Sequence, residues 1–276
     1  MAWTTNSPLE TQEEYSDNAD LPRMMALAVI THKYGFVSIE RWSHTVLLHH
    51  CEKISDSCIL ATCCDREMED LAGIAELGKV NKLRQLVQAG WLSRLKDGTL
   101  SPNHAISVGE THSWREFLGK VYYQELRKLR LAHLNESDAR SVNVDDATDL
   151  SEKQKYHLFR GFYSLSAFWD SFVKKRAQID ANMVCSGLGY QTHRDYCMGN
   201  IQKVWSHLFT ELLAAYRLGT VEGDVLGNLT YLKERMSAAP LWGQILCRHA
   251  LVHRIQMLHD ELAESLDIHF LGRPSS

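Results

Sequence analysis

Three residues between positions 183 and 200 belong to the types that bind zinc. Cys185, His193 and Cys197 carry thiol and imidazole groups, which are the ligands that Zn²⁺ prefers in structural sites. His193 and Cys197 are four residues apart, so a helix that covered both would place them on one face. Cys185 lies eight residues before His193, and Gly187 and Gly189 would allow the chain between them to fold back. The spacing therefore makes these three residues candidate ligands of a structural zinc ion.

A tetrahedral zinc site needs a fourth ligand, and the neighbouring sequence offers none. His249 and His253, four residues apart near the end of the chain, are candidates, as is Cys247 beside them. The alternative interpretation is that the two cysteines of the segment are small buried apolar groups and that its histidine caps a helix or lies on the surface. Both interpretations stay open, and we expect no cofactor other than this structural zinc.

The sequence contains no catalytic motif that can be recognised by residue spacing. It has no HExxH pair of a metalloprotease, no serine in a nucleophile elbow, and no strand before the glycines of the 183–200 segment that would make a dinucleotide loop. The adjacent Asp145 and Asp146 lie in a polar stretch where water keeps them ordinary acids. We therefore expect that the protein is not an enzyme and has no small-molecule substrate.

A second group of residues has the chemistry of a protein-binding surface. The segment 156–172 is crowded with aromatic residues, more than one face of a helix of about four turns needs. Trp and Tyr are enriched among the residues that dominate the binding energy of protein interfaces. The alternative is that most of these rings fill a core between helices. The candidate partner-binding residues are Phe159, Phe162, Tyr163, Phe168 and Trp169.

The composition is that of an ordinary globular protein. Of the 276 residues, 45% are hydrophobic and 23% are charged, and the formal net charge is -4. A chain with a negative net charge has no overall attraction for phosphate backbones, so we do not expect nucleic acid as a partner. The basic segments 127–133 and 174–176 are typical of solvated helix ends.

The sequence lacks the features of membrane and secreted proteins. No apolar run approaches the ~20 residues that cross a bilayer, so we expect no membrane span. The first 19 residues lack the basic and apolar regions of a secretory signal. The seven cysteines are an odd number, and reduced thiols fit a protein of the cytoplasm or the nucleus, which is the predicted location.

Helical patterns cover nearly the whole chain, and strand patterns are nearly missing. Asp20 and Pro22 predict the start of the first helix, and Gly35 predicts its end. Ser38 predicts the start of a second helix that forms a hairpin with the first. The remaining helices are predicted over 65–77, 80–95, 101–112, 114–134, about 151–176 and about 195–217, with two more after Gly223 and Pro240.

These helices predict an all-α protein of about nine or ten helices in two packed helical subdomains. The stretch 135–150 is acidic and has few large apolar residues, which is typical of an exposed linker. The predicted organisation is a flexible leader over 1–19, an N-terminal helical subdomain over 20–134, the acidic linker over 135–150, a C-terminal helical subdomain over 151–270 and a tail over 271–276.

The segments that carry a family resemblance are 21–42, 86–126 and 158–172. They include Trp91 on a predicted helix, the run Leu100–Glu110 of an LSxxHAxxVxE type, and the run Arg160–Ser166 of a YRGYWSLS type. These segments resemble the helical region that follows the BTB (POZ) fold in a large group of basidiomycete fungal proteins. The resemblance implies a helical scaffold, and members of the group often carry a Cys, His, Cys cluster after the aromatic helix. The BTB fold itself would precede residue 20, where the chain has no room for it.

These patterns together predict a non-enzymatic scaffold for protein–protein interaction, of the fungal BTB-associated helical type. Such a scaffold would recognise its partner by presenting an apolar groove or an aromatic patch to a helix of that protein. The alternative is a structural zinc-binding protein that uses Cys185, His193 and Cys197.

Overall fold

The computed structural model describes residues 14–16, 19–52, 60, 63–134, 150–181, 198–217, 224–238 and 248–274. These residues form eleven α-helices and no β-strand, which confirms the predicted all-α fold. The helices are α1 (Leu21–Tyr34), α2 (Val37–Glu52), α3 (Asp65–Leu77), α4 (Asn81–Lys96), α5 (Pro102–Thr111), α6 (Arg115–Leu134), α7 (Glu152–Ala181), α8 (Met198–Arg217), α9 (Val225–Ala238), α10 (Arg248–Glu264) and α11 (Leu266–Leu271).

The chain divides into two compact units, Met1–Phe117 and Leu118–Ser276, and the division falls within α6. The acidic linker predicted over 135–150 lies outside the described residues except for its last position, and so does most of the leader predicted over 1–19. The first position of the predicted tail is the last residue of α11. The bounds of the two predicted subdomains stay predictions.

The first unit begins with a helical hairpin whose helix ends follow from local sequence. Oδ1 of Asp20 accepts a hydrogen bond of 3.0 Å from the backbone N–H of Arg23, and Pro22 lies in the first turn of α1. Gly35 ends α1 with a φ of 71°, a left-handed conformation that glycine adopts without strain. α2 begins at Val37, one residue earlier than predicted, and packs against α1. The structure therefore shows the predicted start and end of the first helix.

Three further helices complete the first unit. α3 has its predicted bounds, and Oε2 of Glu67 caps it by accepting a hydrogen bond of 2.7 Å from the backbone N–H of Cys64. α5 follows Ser101, as predicted. α3 packs against α1, α4 and α5, and α2 packs against α4. These five helices enclose a core in which the side chain of Trp91, on α4, is completely buried.

A buried histidine lies against the turn between α3 and α4. The ring of His44, on α2, approaches Gly78 so closely that a β-carbon at Gly78 would overlap it. Burial lowers the pKa of His44, and the nearby Glu40 carboxylate opposes part of that effect. A side chain at position 78 would therefore displace the His44 ring, and the lowered pKa of His44 favours the neutral imidazole at this contact.

The second unit includes α7 and the short helix α11, which pack directly against each other. The ring of Phe270 is completely buried and stacks on Tyr122 of α6, with 5.7 Å between ring centroids. A β-carbon at Gly161 of α7 would overlap the Phe270 ring. Beside it, Oγ of Ser164 lies 2.8 Å from Nδ1 of His269. These contacts fix α11 on one face of α7. In the same unit α9 packs against α7, α8 and α10.

A buried polar cluster fixes the start of α9. Asp224 accepts a hydrogen bond from the backbone N–H of Gly227, and its Oδ1 accepts a second one of 2.6 Å from the hydroxyl of Tyr123. The hydroxyl oxygen in turn accepts a hydrogen bond of 3.0 Å from the backbone N–H of Leu226, and Nε of Arg127 lies 2.8 Å from Oδ2 of Asp224. Burial and the neighbouring carboxylate raise the pKa of Tyr123, so its hydroxyl stays protonated. The cluster therefore caps α9 and joins it to α6.

Candidate partner-binding surface

α7 carries all five residues that the sequence predicts to bind a partner. The helix begins with a reciprocal cap, in which Ser151 and Gln154 exchange side-chain to backbone hydrogen bonds of 3.0 and 3.4 Å. One face of α7 is buried in the second unit. The residues of that face recur at helical spacing and are Leu158, Gly161, Leu165 and Phe172. The aromatic side chains of α7 therefore divide between this face and the exposed one.

Two of the five predicted residues make contacts within the second unit. Phe168 is half-buried, and its ring centroid lies 6.3 Å from that of His269 on α11. Trp169 is also half-buried and stacks on Phe172 at 5.4 Å, with Phe209 of α8 at 6.1 Å. These two rings therefore hold neighbouring helices against α7, and a role for them in partner binding stays a prediction.

A third predicted residue, Phe162, lies at the border between the buried and the exposed face. Its side chain is half-buried, and Cζ of Arg130, on α6, lies 5.0 Å from the ring centroid. A guanidinium at this distance is attracted to the face of the ring. The ring of Tyr163 meets that of Phe162 edge to face at 5.4 Å. Phe162 therefore connects the basic side chain of α6 to the exposed face of α7.

The remaining two predicted residues are exposed. Phe159 is 47% exposed and Tyr163 is 57% exposed, and their rings meet edge to face with 4.6 Å between centroids. Tyr156, which is 63% exposed, lies one turn before Phe159 on the same face. We call these three residues the aromatic stripe. The structure thus brings together two of the five predicted residues and adds Tyr156, which is not among them.

Tyr156 could have been found from its position in the sequence. It precedes Phe159 by three residues and Tyr163 by seven, which is the spacing of one helix face. The density of aromatic residues in 156–172 does not separate the two faces of a helix. The periodicity of the rings, combined with a known buried face, identifies the stripe.

The charged residues of α7 on the described surface are mainly basic. Arg160 is exposed beside the aromatic stripe, but its guanidinium lies against Gly272 at the end of α11, and Lys174 and Lys175 are exposed further along the helix. Asp170 is the exposed acidic residue in that part of α7. At the start of the helix, the carboxylate of Glu152 lies 3.4 Å from Nζ of Lys155, which balances its charge. Acidic and basic side chains of α7 therefore both lie near the stripe.

A second group of exposed apolar residues lies in the first unit, where α1 meets α2. Its two aromatic rings, those of Tyr34 and Phe36, lie 6.5 Å apart, and Nζ of Lys33 lies 5.6 Å from the Tyr34 ring centroid. The group consists of Val29, Ile30, Tyr34, Phe36 and Val37. It combines several residue types across a turn between helices, whereas the aromatic stripe presents three rings on one continuous helix.

The predicted zinc ligands Cys185, His193 and Cys197 lie outside the described residues. Of the candidates for a fourth ligand, His249 and His253 are exposed on α10. Among the residues that the structure does describe, no three His, Cys, Asp or Glu side chains are grouped so that they could hold a metal ion. Zinc binding therefore stays a prediction from the sequence.

The described cysteines of the first unit differ in exposure. Cys63 is buried, and burial raises the pKa of its thiol to about 11, whereas the adjacent Cys64 is exposed. A thiol with such a raised pKa is a poor nucleophile at neutral pH. Cys63 is therefore a packing residue rather than a reactive one.

Within the described ranges, no helix is both long enough and apolar enough to cross a membrane. Comparison of the chain with protein-family models, with curated proteins and with solved structures gives no match.

Proposed function

We propose that the chain is a non-enzymatic scaffold for protein–protein interaction, of the fungal BTB-associated helical type, and that a partner protein contacts the aromatic stripe of α7. The observation that carries this proposal is the exposure of Tyr156, Phe159 and Tyr163 on one face of a helix whose opposite face is buried in the second unit. Large aromatic side chains gain from burial, and contiguous exposed aromatic surface is typical of a binding site.

The size of the stripe fits the centre of an ordinary protein interface. An aromatic side chain has about 150–250 Å² to bury, and the three rings are each exposed by about half, so together they offer roughly 300 Å². A standard interface covers about 800 Å² on each partner, of which somewhat more than half is apolar. The stripe would therefore supply most of the apolar centre, and the polar residues around it would supply the rim.

The scaffold holds the stripe in place before a partner binds. The opposite face of α7 is fixed by the buried contact of Gly161 with Phe270 and by the stacking of Trp169 on Phe172. Within the stripe, the edge-to-face contact between Phe159 and Tyr163 restricts both rings. A preorganised surface loses little conformational entropy on binding, which favours affinity. The structural role of the helices and the proposed binding role of α7 are therefore compatible.

The proposal is tested by co-purification from cells that express the full chain with an affinity tag. The test variant is the double substitution Phe159→Ala with Tyr163→Ala, and the matched control is Leu213→Ala on α8, which removes another exposed apolar side chain, 62% exposed in the structure. Truncating one interface anchor costs about 2 kcal/mol, which alone corresponds to about a thirtyfold loss, so we expect the double variant to lose more than about thirtyfold in affinity for the partner.

The expected result is one or more co-purifying proteins that are lost with the double variant and retained with Leu213→Ala. Circular dichroism should show unchanged helicity for both variants, because exposed positions contribute little to stability and Ala favours helix. Proteins that co-purify equally with all three chains, or the lack of any, would contradict the assignment of the binding surface to the stripe.

A further inference from the structure

We propose that two copies of the chain form a dimer by exchanging α11, so that α11 of each copy packs on α6 and α7 of the other. This inference concerns a surface other than the aromatic stripe and does not depend on the function proposed above. It follows from the close fit of α11 to those two helices, from the weak separation of α11 from α10, and from the contacts that the closed chain and the dimer share.

α11 is held by two helices that lie far from it in the sequence. A β-carbon at Gly119 of α6 would overlap the backbone of α11 at Asp267. A β-carbon at Gly161 of α7 would overlap the ring of Phe270. The side chains of Leu266 and Phe270 are buried, with 3% and 0% exposure. α6 and α7 therefore form a closely fitting site for this helix, which we call the α11 seat.

Polar contacts add to the fit of the α11 seat. Oγ of Ser164, on α7, lies 2.8 Å from Nδ1 of His269. Nδ1 of His157, one face further along α7, lies 3.2 Å from the backbone oxygen of Phe270. These contacts specify one position for α11, and a second copy of the chain offers an identical seat.

The local sequence does not require the break between α10 and α11. The residues from Arg248 to Leu271 include neither glycine nor proline. At the break, Ser265 has a φ of -97° and a ψ of 11°, whereas an α-helix has about -63° and about -42°. The hydroxyl of Ser265 donates a hydrogen bond of 2.7 Å to the backbone oxygen of Glu261, a contact that bends helices. Rotation at this one residue would therefore align α11 with α10.

Straightening the chain at Ser265 removes α11 from its own seat. Leu266 and Phe270 would then be exposed to water, which is unfavourable for large apolar side chains. A second copy that has opened in the same way has a vacant seat of the right shape. Each copy then binds the α11 of the other, and the exchange forms a closed twofold symmetric dimer.

The dimer keeps the contacts of the α11 seat and gains regular helix at the break. In the closed chain the backbone N–H of Ile268 donates a hydrogen bond of 3.0 Å to the oxygen of Ser265, three residues back. In a continuous helix it would donate to the residue four back, which is the regular α-helical partner. Association opposes this gain because it costs translational and rotational entropy. The closed chain is therefore expected at low concentration and the dimer at high concentration.

Sedimentation velocity of the full chain between about 1 µM and about 1 mM should show a monomer that gives way to a dimer. The hinge variant has two glycines inserted between Ser265 and Leu266, which disfavour a continuous helix and still let α11 reach its own seat. We expect this insertion to weaken the dimer by at least about tenfold. The control is the Phe159→Ala, Tyr163→Ala double variant, which should dimerise like the parent.

Three results of this measurement would overturn the proposal. They are a monomer at every concentration, a dimer that the insertion does not weaken, and a dimer that the double variant abolishes. The last result would instead assign the dimer to the aromatic stripe.

A mixture of two variants tests the exchange itself. Gly161→Ala has a seat that overlaps the ring of Phe270, and Phe270→Ala has an α11 without that ring. In an exchanged dimer with one chain of each kind, one seat holds the native pair of residues and the other holds Ala at both positions. Neither seat then has an overlap. A dimer of two Gly161→Ala chains has the overlap at both seats.

The two variants carry different affinity tags and are refolded together from urea at about 0.5 mM. The yield of dimer that binds both tags should exceed, by at least about tenfold, the yield from two differently tagged Gly161→Ala chains. Equal yields would mean that α11 stays on the seat of its own chain, and the proposed exchange would be wrong.

Discussion

Replacing Gly161 by Ala should destabilise the second unit, although Ala is the better helix former. A β-carbon at Gly161 would overlap the ring of Phe270, which is completely buried and stacked on Tyr122. Overpacking of this kind costs about 1–3 kcal/mol, and expulsion of the ring would cost about as much as a buried Phe contributes. The helix preference for Ala over Gly returns about 1 kcal/mol. Because the β-carbon would overlap three atoms of the buried ring, the upper end of the overpacking cost, about 3 kcal/mol, applies, and the expected net loss of unfolding free energy is about 2 kcal/mol.

Urea denaturation of the full chain, followed by circular dichroism, measures this loss. With a slope of about 2 kcal/mol per molar urea, the midpoint of unfolding should fall by about 1 M. The matched control is Gly73→Ala in α3, where a β-carbon would meet no atom within 4 Å. That substitution should raise the unfolding free energy by about 0.5–1 kcal/mol, since only the helix preference acts.

A double-mutant cycle makes the test sharper. In a Phe270→Ala background the ring is missing, so Gly161→Ala should no longer destabilise the protein and should stabilise it slightly. The sign of the effect of Ala at position 161 should therefore reverse between the two backgrounds. If the effects of Gly161→Ala and Phe270→Ala are additive, the ring of Phe270 does not lie on Gly161, and the reasoning about how α11 is fixed on α7 is refuted.

Three further predictions concern other groups. Burial lowers the pKa values of His44 and His269 in the folded protein, so below pH ~6.5, the usual pKa of histidine, the unfolded state binds more protons than the folded state. The unfolding free energy should therefore fall as the pH drops below ~6.5. An unfolding free energy that stays constant across this pH range in urea titrations would contradict the prediction. Asp224→Ala removes the cap of α9 and leaves Arg127 without its carboxylate partner. The unfolding free energy from urea denaturation should fall by about 2–3 kcal/mol. A fall of less than about 0.5 kcal/mol would contradict the stabilising role of the Asp224 cluster. If the predicted zinc site exists, elemental analysis of the purified protein should find about one zinc ion per chain. The Cys197→Ser variant should lose the zinc and have a lower thermal stability than the parent. A parent protein without zinc, together with a Cys197→Ser variant of equal stability, would exclude the site.

Helix ends were predictable from the sequence where they depend on residues close in the chain. Asp20 and Gly35 define α1 because a cap needs only its own turn, and Ser101 before Pro102 does the same for α5. The break between α10 and α11 was not predicted, because Ser265 separates them without a glycine or proline. Local signals therefore fix most helix bounds, and breaks without such signals depend on tertiary packing.

The candidate surface was predictable as a segment but not as a face. The density of aromatic residues in 156–172 marks α7, yet Phe168 and Trp169 pack inside the unit while Phe159 and Tyr163 are exposed. The choice of face depends on Gly161, which admits the ring of a residue far away in the sequence. Local spacing does not show which residue packs on Gly161. The sequence alone therefore does not distinguish the exposed aromatic stripe of α7 from its buried face.

Site-specific photocrosslinking tests the central claim most directly, namely that the exposed face of α7 contacts a partner protein. The photoreactive amino acid p-benzoylphenylalanine would replace Tyr163 in one variant and Leu213, on α8, in another, and both would be irradiated in cells that express the full chain. The account predicts a discrete crosslinked protein adduct from position 163 and none from position 213. Adducts of equal yield from both positions, or an adduct from position 213 alone, would contradict it.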